Sequence, residues 1–246
     1  IALVAYILGQ RHLPDDRPVA RKREKAAPMT KAERKRVWVL LLVIALTIPA
    51  EIAYPMVWSI GILWVDQYVN LATSLGEVPS SWFASMDSIG AILAAPALVI
   101  FWAWQAKNSS EPSSVTKVGI GSAIIAVAAL LFAYGNMGQS APDSVNAGWA
   151  IAGWLVMGLA WMYYWPTTLA IVSRAAPEGM ASILMGVAFL SPFIGHVLAG
   201  WIGSYFDQMH PSAFWVMDAA IGLAGGIIIL LFRKRLQAAL EADLAS

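Results

Sequence analysis

The chain's 246 residues are 59% hydrophobic and only 13% charged, too little polar surface to cover a soluble domain of this length, so the medium for most of the chain is lipid. Sixteen Lys and Arg against fifteen Asp and Glu leave a net charge of +1, which gives nucleic-acid binding no support. Cysteine is absent, which excludes a disulfide framework and a thiolate metal site and fits a bacterial inner membrane.

In chain order, residues 1–9 form an apolar run too short for the roughly 30 Å of hydrocarbon and read as the end of a preceding transmembrane helix. The chain starts at Ile1 and its first methionine is Met29, so it reads as part of a longer polypeptide whose earlier helices are a partner bundle. Residues 10–36 carry Pro14, Pro18, Pro28 and ten basic residues, and read as a cytoplasmic basic linker. Thr30 and Glu33 form a capping-box pattern for a short surface helix over 30–36.

Six apolar spans follow, over 37–66, 81–105, 115–135, 147–173, 181–206 and 213–232, each close to or above the ~20 residues a membrane helix needs. They form a transmembrane bundle over 37–233, with a tail over 234–246. The basic residues alternate with the connections. Ten lie between Arg11 and Arg36, two at Lys107 and Lys117, one at Arg174, and three at Arg233, Lys234 and Arg235, while the intervening connections carry none. Since retained loops keep Lys and Arg and translocated loops lack them, both ends of the segment are expected in the cytoplasm. The fold class is an all-α membrane bundle.

Pro49, Pro55, Pro96, Pro166 and Pro192 interrupt the spans, which lipid tolerates where neighbouring helices or a cavity satisfy the freed carbonyls. Gly222 and Gly226, and the series Gly195, Ala199 and Gly203, repeat small residues at four-residue spacing and suit close helix contacts.

Ionisable residues inside spans are costly and point to function. Four candidates stand out. Glu51 shares a helical face with Thr47, Tyr54 and Trp58; it reads either as a proton-carrying or substrate-facing acid or as a neutral acid that fixes packing. Asp87 follows Trp82 and Phe83 beside Ser85 and Ser88, and reads as a gate or substrate contact or as an interfacial residue. His196 reads chiefly as structural, and Asp218 as a cap or a snorkelling residue near the outer end of its span. The run Trp161-Met162-Tyr163-Tyr164-Trp165-Pro166 places four aromatics at mid-membrane, where they suit a cavity wall for apolar or cationic groups. No phosphate loop, metal-ligand spacing or nucleophile–base pair appears, so no enzyme activity and no cofactor are expected.

Several stretches together resemble a known family. Gly9-Gln10-Arg11-His12-Leu13, Thr30-Lys31-Ala32-Glu33-Arg34-Lys35-Arg36-Val37-Trp38, Ser81-Trp82-Phe83-Ala84-Ser85-Met86-Asp87, Pro112-Ser113-Ser114-Val115-Thr116-Lys117 and Leu184-Met185-Gly186-Val187-Ala188-Phe189-Leu190-Ser191-Pro192 are similar, in order and spacing, to the C-terminal half of the proton-dependent oligopeptide transporters of the major facilitator superfamily. The resemblance implies a twelve-helix transporter of two six-helix bundles, rocking around a central peptide site and driven by inward proton flow. In that alignment Asp87 stands where the family has a pocket asparagine on helix eight. Pro55 stands at the acid of helix seven, with Glu51 one turn away as a substitute. Trp161 stands at the helix-ten glutamate that engages a peptide's amino end, and Ala188 at a helix-eleven tryptophan.

The resulting expectation is a proton-coupled symporter half whose substrate contacts are Tyr54, Asp87, Trp161, Tyr163, Tyr164 and Ser191 and whose gate or proton-coupling acids are Glu51 and Asp87. Its partners are the missing N-terminal six-helix bundle, membrane lipid, protons and a peptide or other small solute. Two other readings stand beside it: a facilitator for a non-peptide solute, and a non-transporting scaffold subunit of a membrane complex.

Overall fold

A computed structural model describes residues 29–241, apart from 75, 109, 110, 140 and 178. The expected end of a preceding helix over 1–9, the linker up to residue 28 and the last five residues of the tail lie outside the described residues.

The first span is α1, Lys31–Tyr68. The surface helix expected over 30–36 is not separate from it, because Lys, Ala, Glu and Arg are all good helix formers and no breaker stands between Lys31 and Val37. At 1.5 Å per residue the helix is about 57 Å long, well beyond the hydrocarbon thickness. A two-stranded hairpin, β1 (Ala72–Thr73) and β2 (Gly76–Glu77), occupies the first connection. Gly76 supplies its turn with a φ of 116°, a backbone conformation closed to most side chains. A 3-10 turn, Ser80–Phe83, then runs into α2, Ala84–Lys107.

Helix α3 spans Ser114–Gly135, with the Ser113 hydroxyl accepting from the Thr116 N–H at 3.3 Å. Helix α4 spans Ala147–Ala175, with the Asn146 side chain accepting from the Gly148 N–H at 2.8 Å. The caps supply acceptors that the first helical turn lacks. The fifth span is two helices, α5 (Ala181–Ala188) and α6 (Leu190–Gly203). The break falls at Phe189, where Pro192 denies the Ala188 carbonyl its helical donor and crowds it. Helix α7, Pro211–Glu241, continues nine residues past the span expected from hydropathy.

All six spans are long and apolar enough to cross a membrane, and the protein is a multi-pass membrane protein. The connections without basic residues meet at one end. Val69 and Val145 bridge, with Asn70 N–H donating to the Val145 carbonyl at 2.8 Å, and Phe206 lies edge-on to Tyr68 and Phe214. The basic termini of α3, α4 and α7 meet at the other, where Ser114, Arg174 and Gln237 border one crevice.

The core behind the site is aromatic. Phe132 and Trp215 lie 4.9 Å apart by ring centroids, and Trp64 lies 5.1 Å from Phe132 and 5.9 Å from Trp215. The small-residue repeats act as close contacts between backbones. Gly222 faces Ala53 of α1 and Ile125 of α3, while Gly226 faces Gly119 and Ser122 of α3. Along α6, Ser191, Gly195, Ala199 and Gly203 form the buried face, and Gly203 meets Ile60 of α1. Spans α2 and α5–α6 are the least covered, with 28% of their apolar windows buried against 61% for α3.

Candidate functional site

The site is organised on α1 between its two prolines. Pro55 cannot donate to the Glu51 carbonyl, four residues back. That freed carbonyl faces α6 at Gly195, where a β-carbon would lie 2.5 Å from both the Glu51 oxygen and its Cβ. Only a glycine lets the two backbones approach this closely. The Glu51 side chain is 1% exposed, and neither carboxylate oxygen has a hydrogen-bond partner of ordinary geometry.

Around Glu51 a polar network joins three helices. The Tyr164 hydroxyl of α4 donates to the Thr47 carbonyl at 3.1 Å, and the Thr47 hydroxyl lies 2.7 Å from that of Ser191 on α6. All three residues are buried. Such a network holds α1, α4 and α6 in register because each member would be costly to leave unpaired.

One turn along α1, the Tyr54 hydroxyl donates to Asp87 Oδ2 at 3.1 Å. Asp87 sits in the first turn of α2, where the helix dipole favours a carboxylate. It is 5% exposed, and its Oδ1 is buried without a partner. Gly158 of α4 backs its main chain so closely that a β-carbon there would overlap the Asp87 carbonyl oxygen. The Tyr54 ring stacks on Trp161 at 4.6 Å, Trp161 on Trp165 at 5.5 Å, and Trp165 meets Phe189 edge-on at 5.5 Å. Asp87 thus heads a row of aromatic rings that runs from α2 across α1 and α4 to the break between α5 and α6. Neither Glu51 nor Asp87 has an ion-pair partner among the described residues.

The expected residues therefore divide. Tyr54, Asp87 and Trp161 come together in the aromatic row, and Glu51, Tyr164 and Ser191 in the adjoining network. Tyr163 turns the other way, into a cluster with Ala94 and Leu98 of α2, its ring edge-on to Trp102 at 5.2 Å. His196 is exposed, its Nδ1 2.6 Å from the Pro192 carbonyl oxygen. It shares a crevice with Tyr54, Trp58 and Ser59, a neighbourhood with no signal in the sequence beyond the Pro192 spacing. Asp218 is not at an outer cap but fully buried, with both oxygens unpartnered, in the face of α7 that also carries Trp215 and Gly222.

Buried acids and stacked aromatics on proline-containing helices define a polytopic membrane bundle with a polar and aromatic interior. Comparison with known proteins narrows this class. The family model described as "POT family" matches residues 18–217, and the chain belongs to that family. It is 31% identical over 177 residues to the peptide transporter YePEPT of Yersinia enterocolitica subsp. palearctica, a match covering 69% of this chain and 34% of that protein. It is 21% identical over 158 residues to a di-/tripeptide transporter of Lactococcus lactis subsp. cremoris, covering 64% of this chain and 31% of that one. The fold matches crystal structures of peptide transporter POT, one in complex with sulfate at a TM-score of 0.79, 16% identity and 96% coverage of this chain, and a mutant in complex with alafosfalin at 0.77, 17% and 87%. These matches cover 45% and 44% of those chains. The chain thus spans about a third of its curated relatives and under half of the matched structures.

Proposed function

We propose that this bundle is the C-terminal half of a proton-coupled transporter that moves di- and tripeptides or related small solutes by alternating access. It works with an N-terminal six-helix bundle in a bacterial inner membrane, its basic ends in the cytoplasm. The observation that carries this reading is the Tyr54–Asp87–Trp161 constellation. A buried carboxylate with one oxygen left unpartnered, oriented by a phenol and flanked by stacked rings, offers a solute's ammonium both a counter-charge and aromatic faces. In this reading Glu51, held at the close crossing of α1 and α6, is the gating or proton-carrying acid. The basic segment over 10–36 is then the link between bundles, and the broken and proline-containing helices line the central cavity, as transporters of this kind require.

The test is uptake of a radiolabelled dipeptide by proteoliposomes containing the intact natural protein under an inward proton gradient. Asp87→Ala is expected to abolish uptake while membrane insertion is kept, and full uptake by that variant would refute the assignment. One observation favours a second reading, a non-peptide solute. Trp161 stands where the family resemblance expects the acid for a peptide's amino end, and its ring is already stacked on Tyr54. Competition by a dipeptide panel against sugars and organic acids separates the two.

A further inference from the structure

A second crevice, of about 410 Å³, lies at the basic end of the bundle between α2, α3 and α4. It has two chemically distinct parts. Leu98 and Val99 of α2 and Met162 of α4 form an apolar wall, while Lys117, Arg174, Ser114 and Thr167 form a polar end. Lys117 is 8% exposed, and its Nζ is held 2.5 Å from Glu111 Oε1 and 4.0 Å over the Trp102 ring. That ion pair uses one of the three ammonium donors. The crevice therefore holds two cations and one anion, with Arg174 exposed at its rim. The Trp102 ring, beneath the Lys117 ammonium, also lines the crevice. Helix α3 begins here at Ser114, adding the positive end of its dipole.

We propose that this crevice binds an anionic phospholipid, its phosphate between Lys117 and Arg174 and an acyl chain along Leu98, Val99 and Met162. Charge complementarity selects the headgroup, since the crevice carries a net single positive charge with Glu111 counted. The apolar wall selects a lipid over a soluble phosphate. It runs into the uncovered face of α2, where Val99 and Ile100 are 64% and 70% exposed on a helix apolar enough to cross the membrane. The crevice also differs from the proposed transport site in its elements, drawing on α3 and the α2–α3 turn rather than on α1.

The test titrates the intact natural protein in neutral detergent with dioleoyl phosphatidylglycerol, dioleoyl phosphatidylcholine or glycerol 3-phosphate and reads the thermal unfolding midpoint. Phosphatidylglycerol is expected to raise it saturably. Arg174→Gln, at an exposed position that leaves the fold intact, is expected to raise the half-saturating lipid concentration about fivefold. Lys35→Gln, at an exposed basic residue on α1, is expected to leave it unchanged. An equal response to phosphatidylcholine would overturn the proposal. So would an equal loss in the Lys35 and Arg174 variants, which marks diffuse surface attraction, or a full response to glycerol 3-phosphate, which marks a soluble-anion site.

Discussion

The bond between Tyr54 and Asp87 makes a sharp prediction, because the phenol has two separable roles. Its ring stacks on Trp161 at 4.6 Å and its hydroxyl donates to Asp87 Oδ2 at 3.1 Å. Tyr54→Phe keeps the first and removes the second. A hydrogen bond to a charged group is worth about 1.5–3 kcal/mol, so kcat/KM for uptake should fall roughly 10- to 150-fold if the carboxylate is held in its working position by that bond. Asp87→Asn keeps an acceptor but removes the charge. A neutral bond contributes only about 0.5–1.5 kcal/mol, and Tyr54→Phe should then cost roughly 2- to 13-fold. The double-mutant cycle should therefore show a coupling on the order of 1 kcal/mol. Proteoliposome uptake of the four proteins at equal reconstituted amounts supplies the numbers. Equal effects of Tyr54→Phe with Asp87 intact and in the Asp87→Asn background would refute the reasoning, since the hydroxyl would then act on something other than the carboxylate.

Three further outcomes test the surrounding geometry. Gly195→Ala places a methyl 2.5 Å from the Glu51 carbonyl oxygen and should cost about 1–3 kcal/mol of stability by forcing α1 and α6 apart, seen as a lower unfolding temperature in detergent. Gly186→Ala, with nothing within 4 Å of the added carbon, should change nothing, and a comparable loss there would discredit the crossing argument. Ser191→Ala removes the partner of Thr47 at 2.7 Å and should cost on the order of 1 kcal/mol, read by the same unfolding measurement. Trp161→Glu puts an acid where the family resemblance expects one, and the uptake ratio of a free dipeptide over its N-acetyl form should rise. An unchanged ratio would separate this position from amine recognition.

The spans were legible because each carries an apolar stretch long enough to cross a membrane with few charges in it, and even the break in the fifth follows from Pro192 through the carbonyl of Ala188. Facing was not legible. In an apolar helix with no polar side, a sequence gives little information on rotation, and the run of aromatics in α4 read as one wall. Consecutive helical residues point about 100° apart. Tyr164 therefore meets Thr47 of α1 while Tyr163 meets Trp102 of α2, and the stacked pair Trp161 and Trp165, four residues apart, forms a third direction. Asp218 was misjudged for the same reason. Its depth along the span was readable, but the clue to its facing lay in neighbours one turn away, where Gly222, Gly225 and Gly226 mark the face of α7 packed on α1 and α3. Asp87 and Tyr54 stood out singly as polar groups in apolar surroundings, yet their pairing across 33 residues depends on how α1 and α2 cross.

That crossing pattern gives α1 a role beyond presenting Glu51. Within the stretch from Leu46 to Tyr54 it meets Gly225 and Gly222 of α7, Tyr164 of α4, Ser191 and Gly195 of α6, and Asp87 of α2. Pro49 and Pro55 lie in and just beyond this stretch, and each leaves a carbonyl without its helical donor. A bend there costs less than elsewhere in the helix, whereas the packed glycine contacts resist any gradual separation. A change in the angle of α1 at Glu51 therefore displaces α2, α4 and α6 together rather than one side chain at a time. In the proposed function, protonation or solute binding at Glu51 or Asp87 would act on the joint that all three share, where a small local change in charge would have the mechanical leverage to tilt half a bundle.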